Sequence, residues 1–134
     1  MSVVAGKRGE GTLRVDTAAR DLQNYVNQLC ANEARFHPNE GLNFCWLGNR
    51  MRATAFDIVS NIRVANKESR ESPDRELFQR MALQGTEKML EAGKYAYENG
   101  ILKSKQIKYY TSLVIAVKDL IIKWRKSDKE LSNR

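Results

Sequence analysis

The sequence predicts an all-α protein built as an up-down four-helix bundle. Three observations carry that expectation. Apolar residues return at intervals of three and four in four separate segments. No segment alternates apolar and polar residues as a half-buried strand does. The connections between segments are short, polar and marked by helix-stopping residues. Helices that each carry one apolar stripe and are joined by short links bury those stripes against one another as antiparallel neighbours. At 134 residues the chain has the length of one domain.

The first helix is read from Val15, Ala18, Ala19, Leu22, Tyr25, Val26, Leu29 and Cys30, with Asp16 or Thr17 as its cap. The loop "ANEARFHPNEG" ends it. The second runs from about Asn43 to Lys67 with Leu47, Met51, Ile58, Ile62 and Ala65 on its inner side. After "KESRESPD", Ser72, Pro73 and Asp74 read as N-cap, first turn and a carboxylate favoured by the helix dipole. The third helix is expected to bury Leu77, Phe78, Met81, Gly85, Met89, Ala92 and Ala96, and Asn99-Gly100 stops it. The fourth starts at Ser104 and buries Ile107, Tyr110, Leu113, Val114, Val117, Leu120, Ile121 and Trp124. The expected organisation is a flexible N-terminal arm over residues 1–11, the bundle over 12–129 and a short tail over 130–134.

Charge narrows the function. The formal net charge is +7, and most of the excess lies after Ile101. There Lys103, Lys105, Lys108, Lys118, Lys123, Arg125, Lys126, Lys129 and Arg134 outweigh Asp119, Asp128 and Glu130. A second surplus, Arg50, Arg52, Arg63 and Lys67 against Asp57, lies on the second helix. Such localised excess points to a polyanionic partner, nucleic acid ahead of membrane, or to a solvated face that keeps the chain soluble. No apolar run has the length of a signal peptide or of a membrane span, so a cytoplasmic protein is expected. Cys30 and Cys45 stand outside any CxxC pair and read as thiols.

Projecting the helices at about 100° per residue separates further surfaces. Lys105, Lys108, Lys123 and Lys126 fall opposite the apolar stripe of the fourth helix. Arg52, Phe56 and Arg63 share the outer face of the second, an aromatic between two guanidiniums that suits either phosphate contact with a base or a partner side chain against the ring, or packing of Phe56 on another subunit with the arginines at its rim. Leu83, Leu90 and Tyr97 on the third helix and Ile115 and Ile122 on the fourth form heptad-spaced rows, which fit either an oligomer interface or the edges of broad core stripes.

Catalytic patterns are sparse. His37 is the only histidine, which rules out a bundle-core di-iron site built from two Glu-x-x-His pairs. A Cys/His nucleophile would require Cys45 or Cys30 to meet His37. Glu68, Glu71 and Asp74 have the spacing of a magnesium site, but Pro73 interrupts the helix that would align them. No phosphate loop or zinc-ligand pattern is present. The expectation is a protein that is not an enzyme and that uses no cofactor and no metal.

Three stretches, in order, carry a family resemblance. "NEARFHP" resembles the loop after the first helix, "NRMRATAFDIVSNIRVANK" the second helix, and "LKSKQIKYYTSLVIAVKDLIIKWRKSD" the closing helix of the accessory variability determinant (Avd) proteins of diversity-generating retroelements. The resemblance extends from about Leu13 to Lys129. A bundle group encoded in intervening sequences of bacterial ribosomal RNA genes shares the fold and part of the pattern. The Avd resemblance implies a homopentameric barrel of bundles that works with a reverse transcriptase and a template RNA or its cDNA in mutagenic reverse transcription. Carried onto this chain, it implies that Arg50, Arg52, Arg63, Lys105, Lys108, Lys118, Lys123, Arg125 and Lys126 bind the polymerase, the RNA or both. The third helix, with five carboxylates beside four basic residues, is better suited to subunit contacts. Lys7 and Arg8 in the arm depart from the family pattern.

Overall fold

A computed structural model describes the backbone of residues 3–132 and the side chains of residues 14–131. Four α-helices follow one another: α1 (Val3–Ala31), α2 (Cys45–Lys67), α3 (Pro73–Glu98) and α4 (Ser104–Ser132), with one 3₁₀ turn at Glu33–Phe36. Among the described residues there is no strand. Each helix packs on two others: α1 on α2 and α4, α3 on α2 and α4. Among the described residues the backbones of α1 and α3, and of α2 and α4, do not come close, so these pairs are the diagonals of a four-helix bundle.

The helix ends follow local chemistry. The Ser72 hydroxyl accepts from the Asp74 N–H at 3.2 Å, with Pro73 in the first turn. Asn99 and Gly100 close α3, and Gly100 takes the left-handed φ of 77° that a residue with a Cβ adopts at a cost. Asn43 receives the Cys45 N–H on its side-chain oxygen at 2.9 Å and so starts α2 two residues later than the spacing suggests. The expected cap at Asp16 or Thr17 is not a cap. Helix α1 already runs from Val3, so the backbone is helical through most of the stretch expected to be an arm. Met1 and Ser2, the side chains of Lys7 and Arg8, and the tail end at Asn133 and Arg134 lie outside the described residues. Asp16 instead accepts from Arg63 of α2 at 2.9 Å and lies 3.3 Å from Arg20.

The core is largely the expected one on three helices. Val15, Ala19, Leu22, Val26, Leu29 and Cys30 are buried on α1, Leu47, Met51, Ile58, Ile62 and Ala65 on α2, and Tyr110, Val114, Val117, Ile121 and Trp124 on α4. On α3 the stripe is rotated. Leu77 and Met81 are exposed, while Arg75, Gln79, Ala82, Gly85, Thr86, Met89, Gly93 and Ala96 face inward. Close approach explains the small residues. A Cβ on Gly93 would lie 2.3 Å from the Tyr110 ring, and one on Gly85 would lie 2.5 Å from Ile58. Bulk on α2 and α4 therefore occupies the space that side chains on α3 leave vacant.

Two buried acids make stability depend on alkaline pH. The Cys30 thiol faces the Gly48 carbonyl, and the Tyr110 hydroxyl donates to the Met89 carbonyl at 2.7 Å. Burial pushes both above their ordinary values of 9.0 and 10.0. Above those values the unfolded chain gives up protons that the folded chain keeps, so stability falls as pH rises. Denaturant unfolding should give a constant stability from neutral pH to about pH 8.5, then a decline of up to about 1.4 kcal/mol per pH unit for each group. Tyr110→Phe should remove its share of that slope, and an unchanged slope in the variant would assign the decline to other groups.

Candidate nucleic-acid interface

The outer face of α4 carries the lysines. Lys105, Lys108, Lys123 and Lys126 are all exposed, and none pairs with a carboxylate among the described residues. Helical rise places the two pairs about 22 Å apart. Between them the same face holds Ser112, Ala116 and Asp119, so the row is two positive ends separated by a middle whose one charge is the carboxylate of Asp119. The N-terminal pair sits where folding does not favour it. The first turn of α4 has no acidic residue, and the positive end of the helix dipole faces Lys105.

The other expected contacts do not join this row. Lys118 is engaged by Glu87 of α3 at 2.7 Å. Arg125 turns toward Glu76 of α3 at 3.5 Å. Arg63 is held by Asp16, and Arg52 donates to Asn49 at 2.6 Å. Arg52, Phe56 and Arg63 do share the exposed face of α2, with Phe56 60% exposed. Arg50 points elsewhere, into a groove of about 720 Å³ between α2 and α3. Because α2 and α4 are diagonal, their outer faces look away from each other, and the basic residues of the two helices do not make one patch.

The expected apolar rows also divide. Leu83 and Leu90 are half-buried and pack against the core, which is broader on α3 than the spacing suggests. Tyr97, Ile115 and Ile122 are exposed in the single subunit.

One feature was not assigned from spacing, and one contact that a Cys/His nucleophile would require is present. Phe44, Trp46 and Tyr95 form an aromatic cluster at the mouth of the α2–α3 groove, with Trp46 and Tyr95 centroids 5.8 Å apart and Trp46 52% exposed. No periodic signal marks it, since the three residues come from a loop end, a helix start and a different helix. The structure also brings the Cys45 Sγ to 3.4 Å from His37 Nε2. Among the described residues no hydrogen bond orients the far side of the His37 ring, so the third member of a nucleophile–base–orienter set is missing. No group of three or more His, Cys, Asp or Glu side chains is placed to hold a metal ion among the described residues. No described helix is long and apolar enough to cross a membrane. Comparison of the chain with known families, with curated proteins and with solved structures finds no match.

Proposed function

We propose that this protein is a non-enzymatic accessory subunit of a diversity-generating retroelement. In this reading it assembles as a homo-oligomer, a pentamer by the Avd resemblance, and acts in the cytoplasm. It engages the reverse transcriptase and its template RNA or cDNA through the basic face of α4. The observation that carries the reading is the set of four exposed, unpaired lysines on α4, two of them near the helix end where like charge is disfavoured. The ordered resemblance of three stretches of the chain adds the biological setting. Exposed Tyr97, Ile115 and Ile122 supply apolar surface for contacts between subunits. A ring of identical basic faces would engage one RNA at several points, and modest contacts would then add to a strong total.

The test is fluorescence anisotropy with nuclease-treated protein, sized by light scattering, against a structured RNA and a matched duplex DNA over a salt series. The expected result is an oligomer that binds RNA with log K falling by about 3 or more per decade of salt. Absence of binding to either nucleic acid at low salt overturns the nucleic-acid half of the proposal. A pull-down with the reverse transcriptase tests the other half. A bundle of the ribosomal intervening-sequence type predicts no polymerase gene and no near-duplicate template beside its own gene.

A further inference from the structure

A cavity of about 370 Å³ opens at the end of the bundle where the α2–α3 connection meets the C-terminal half of α4. It lies on the α3 side of α4, away from the exposed lysine row, and its size is within the range of small-ligand sites. Its inner wall is a satisfied network. Asp128 accepts from Arg75 Nε at 2.7 Å, from Arg75 Nη2 at 2.9 Å and from Gln79 Nε2 at 2.8 Å. Arg75 also donates to the Glu68 carbonyl at 3.2 Å and stacks over the Trp124 ring, 5.1 Å from its centroid. The charges of Arg75 and Asp128 are therefore matched to each other.

The remaining wall is not matched. Arg70 and Lys129 also line the cavity, and neither pairs with a carboxylate among the described residues. Arg125 reaches Glu76 only at 3.5 Å, the longest ion pair described. Its Nε is buried and has no acceptor. A buried guanidinium N–H without an acceptor is unfavourable, and native structures rarely leave one. Arg70, Arg125 and Lys129 thus line the cavity beside one loosely held carboxylate, Glu76, with Asp128 already matched to Arg75.

We propose that this cavity binds a phosphate or pyrophosphate group, with the side chains of Arg70, Arg125 and Lys129 balancing its charge. Several oxygens on one doubly charged centre suit a set of guanidinium and ammonium donors better than a single carboxylate does. The group could come from a free phosphate compound or from the 5′ end of a nucleic-acid strand. The site stands independently of whether the α4 lysines bind RNA, because none of those lysines lines it.

The experiment is isothermal titration of the full chain with inorganic pyrophosphate at low chloride, repeated with Arg70→Gln, Arg125→Gln and a Lys105→Gln/Lys108→Gln control. Saturable binding is expected, weakened roughly tenfold or more by either arginine substitution and unchanged in the lysine control. Arg70 lies in the connecting turn outside any helix, so its variant decides the question even if Arg125→Gln loses its fold. No saturable binding at about 1 mM ligand, or equal binding by Arg70→Gln and the unsubstituted chain, overturns the proposal. Trinucleotides with a 5′-phosphate or a 5′-hydroxyl separate the two sources. A strong preference for the phosphate over both the hydroxyl form and free pyrophosphate assigns the site to strand ends, and tighter binding of free pyrophosphate assigns it to a soluble compound.

Discussion

Replacing Lys105, Lys108, Lys123 and Lys126 together with glutamate is expected to lower RNA affinity by about a hundredfold or more near 0.1 M salt and to flatten the salt dependence by up to about 4. The substitution turns a net charge of +7 negative and removes four of the α4 cations that no carboxylate among the described residues holds, leaving Lys129. Stability should move the other way or stay constant. All four side chains are exposed, and an acidic residue at position 105 interacts favourably with the start of α4. Opposite directions for folding and binding separate a functional surface from a solvated one. If the quadruple variant binds RNA like the unsubstituted chain, the α4 face is not the interface. The triple exchange of Arg52, Phe56 and Arg63 on the diagonal helix then becomes the next variant to measure.

Asp128→Ala is expected to produce the largest loss of stability of any single change considered, about 3–5 kcal/mol in denaturant unfolding. The carboxylate is 13% exposed and the Arg75 side chain 10%. Its removal leaves two guanidinium N–H groups and the Gln79 amide without their acceptor, on side chains of which only a small part meets the solvent in the adjoining cavity. Most of the loss comes from the stranded Arg75 charge rather than from the strength of the pair. The double variant Arg75→Met/Asp128→Leu should therefore recover most of it, since apolar replacement of both members of a buried pair is often neutral. A cost below about 1 kcal/mol for Asp128→Ala would place the pair among ordinary surface ion pairs.

The same pair shows why part of the structure could be read from sequence and part could not. On α1, α2 and α4 the inward face is made of large apolar residues, such as Leu22, Ile62 and Ile121, so spacing alone finds it. On α3 the inward face holds one large apolar side chain, Met89, among glycine, alanine, threonine, glutamine and arginine. Its glycines fit against Tyr110 and Ile58, its Arg75 and Gln79 are satisfied by Asp128, 53 residues after Arg75, and its Thr86 hydroxyl donates to the Leu83 carbonyl. A periodicity reading weighted toward large apolar residues therefore chose Leu77 and Met81, which are exposed. The candidate interface divided in the same manner. The outward direction of the α4 lysines follows from helix geometry and was legible. That Lys118, Arg125 and Arg63 are engaged by Glu87, Glu76 and Asp16 depends on which helices are neighbours, as does the separation of the α2 and α4 faces.

The Arg75–Asp128–Gln79 network also helps decide how far along its axis α4 sits relative to α3. Apolar side chains such as Val114, Val117 and Ile121 recur along α4 at nearly equal intervals and by themselves would pack at more than one offset, whereas the Tyr110 ring against Gly93, with its hydroxyl on the Met89 carbonyl, already favours this one. A slide by one helical turn, about 5.4 Å, would carry Asp128 out of reach of all three of its donors. The polar cluster thus acts as an index pin. The aliphatic part of the seam supplies attraction at more than one offset, the pin admits one, and the spacing of the outer lysines relative to the rest of the bundle is inherited from it.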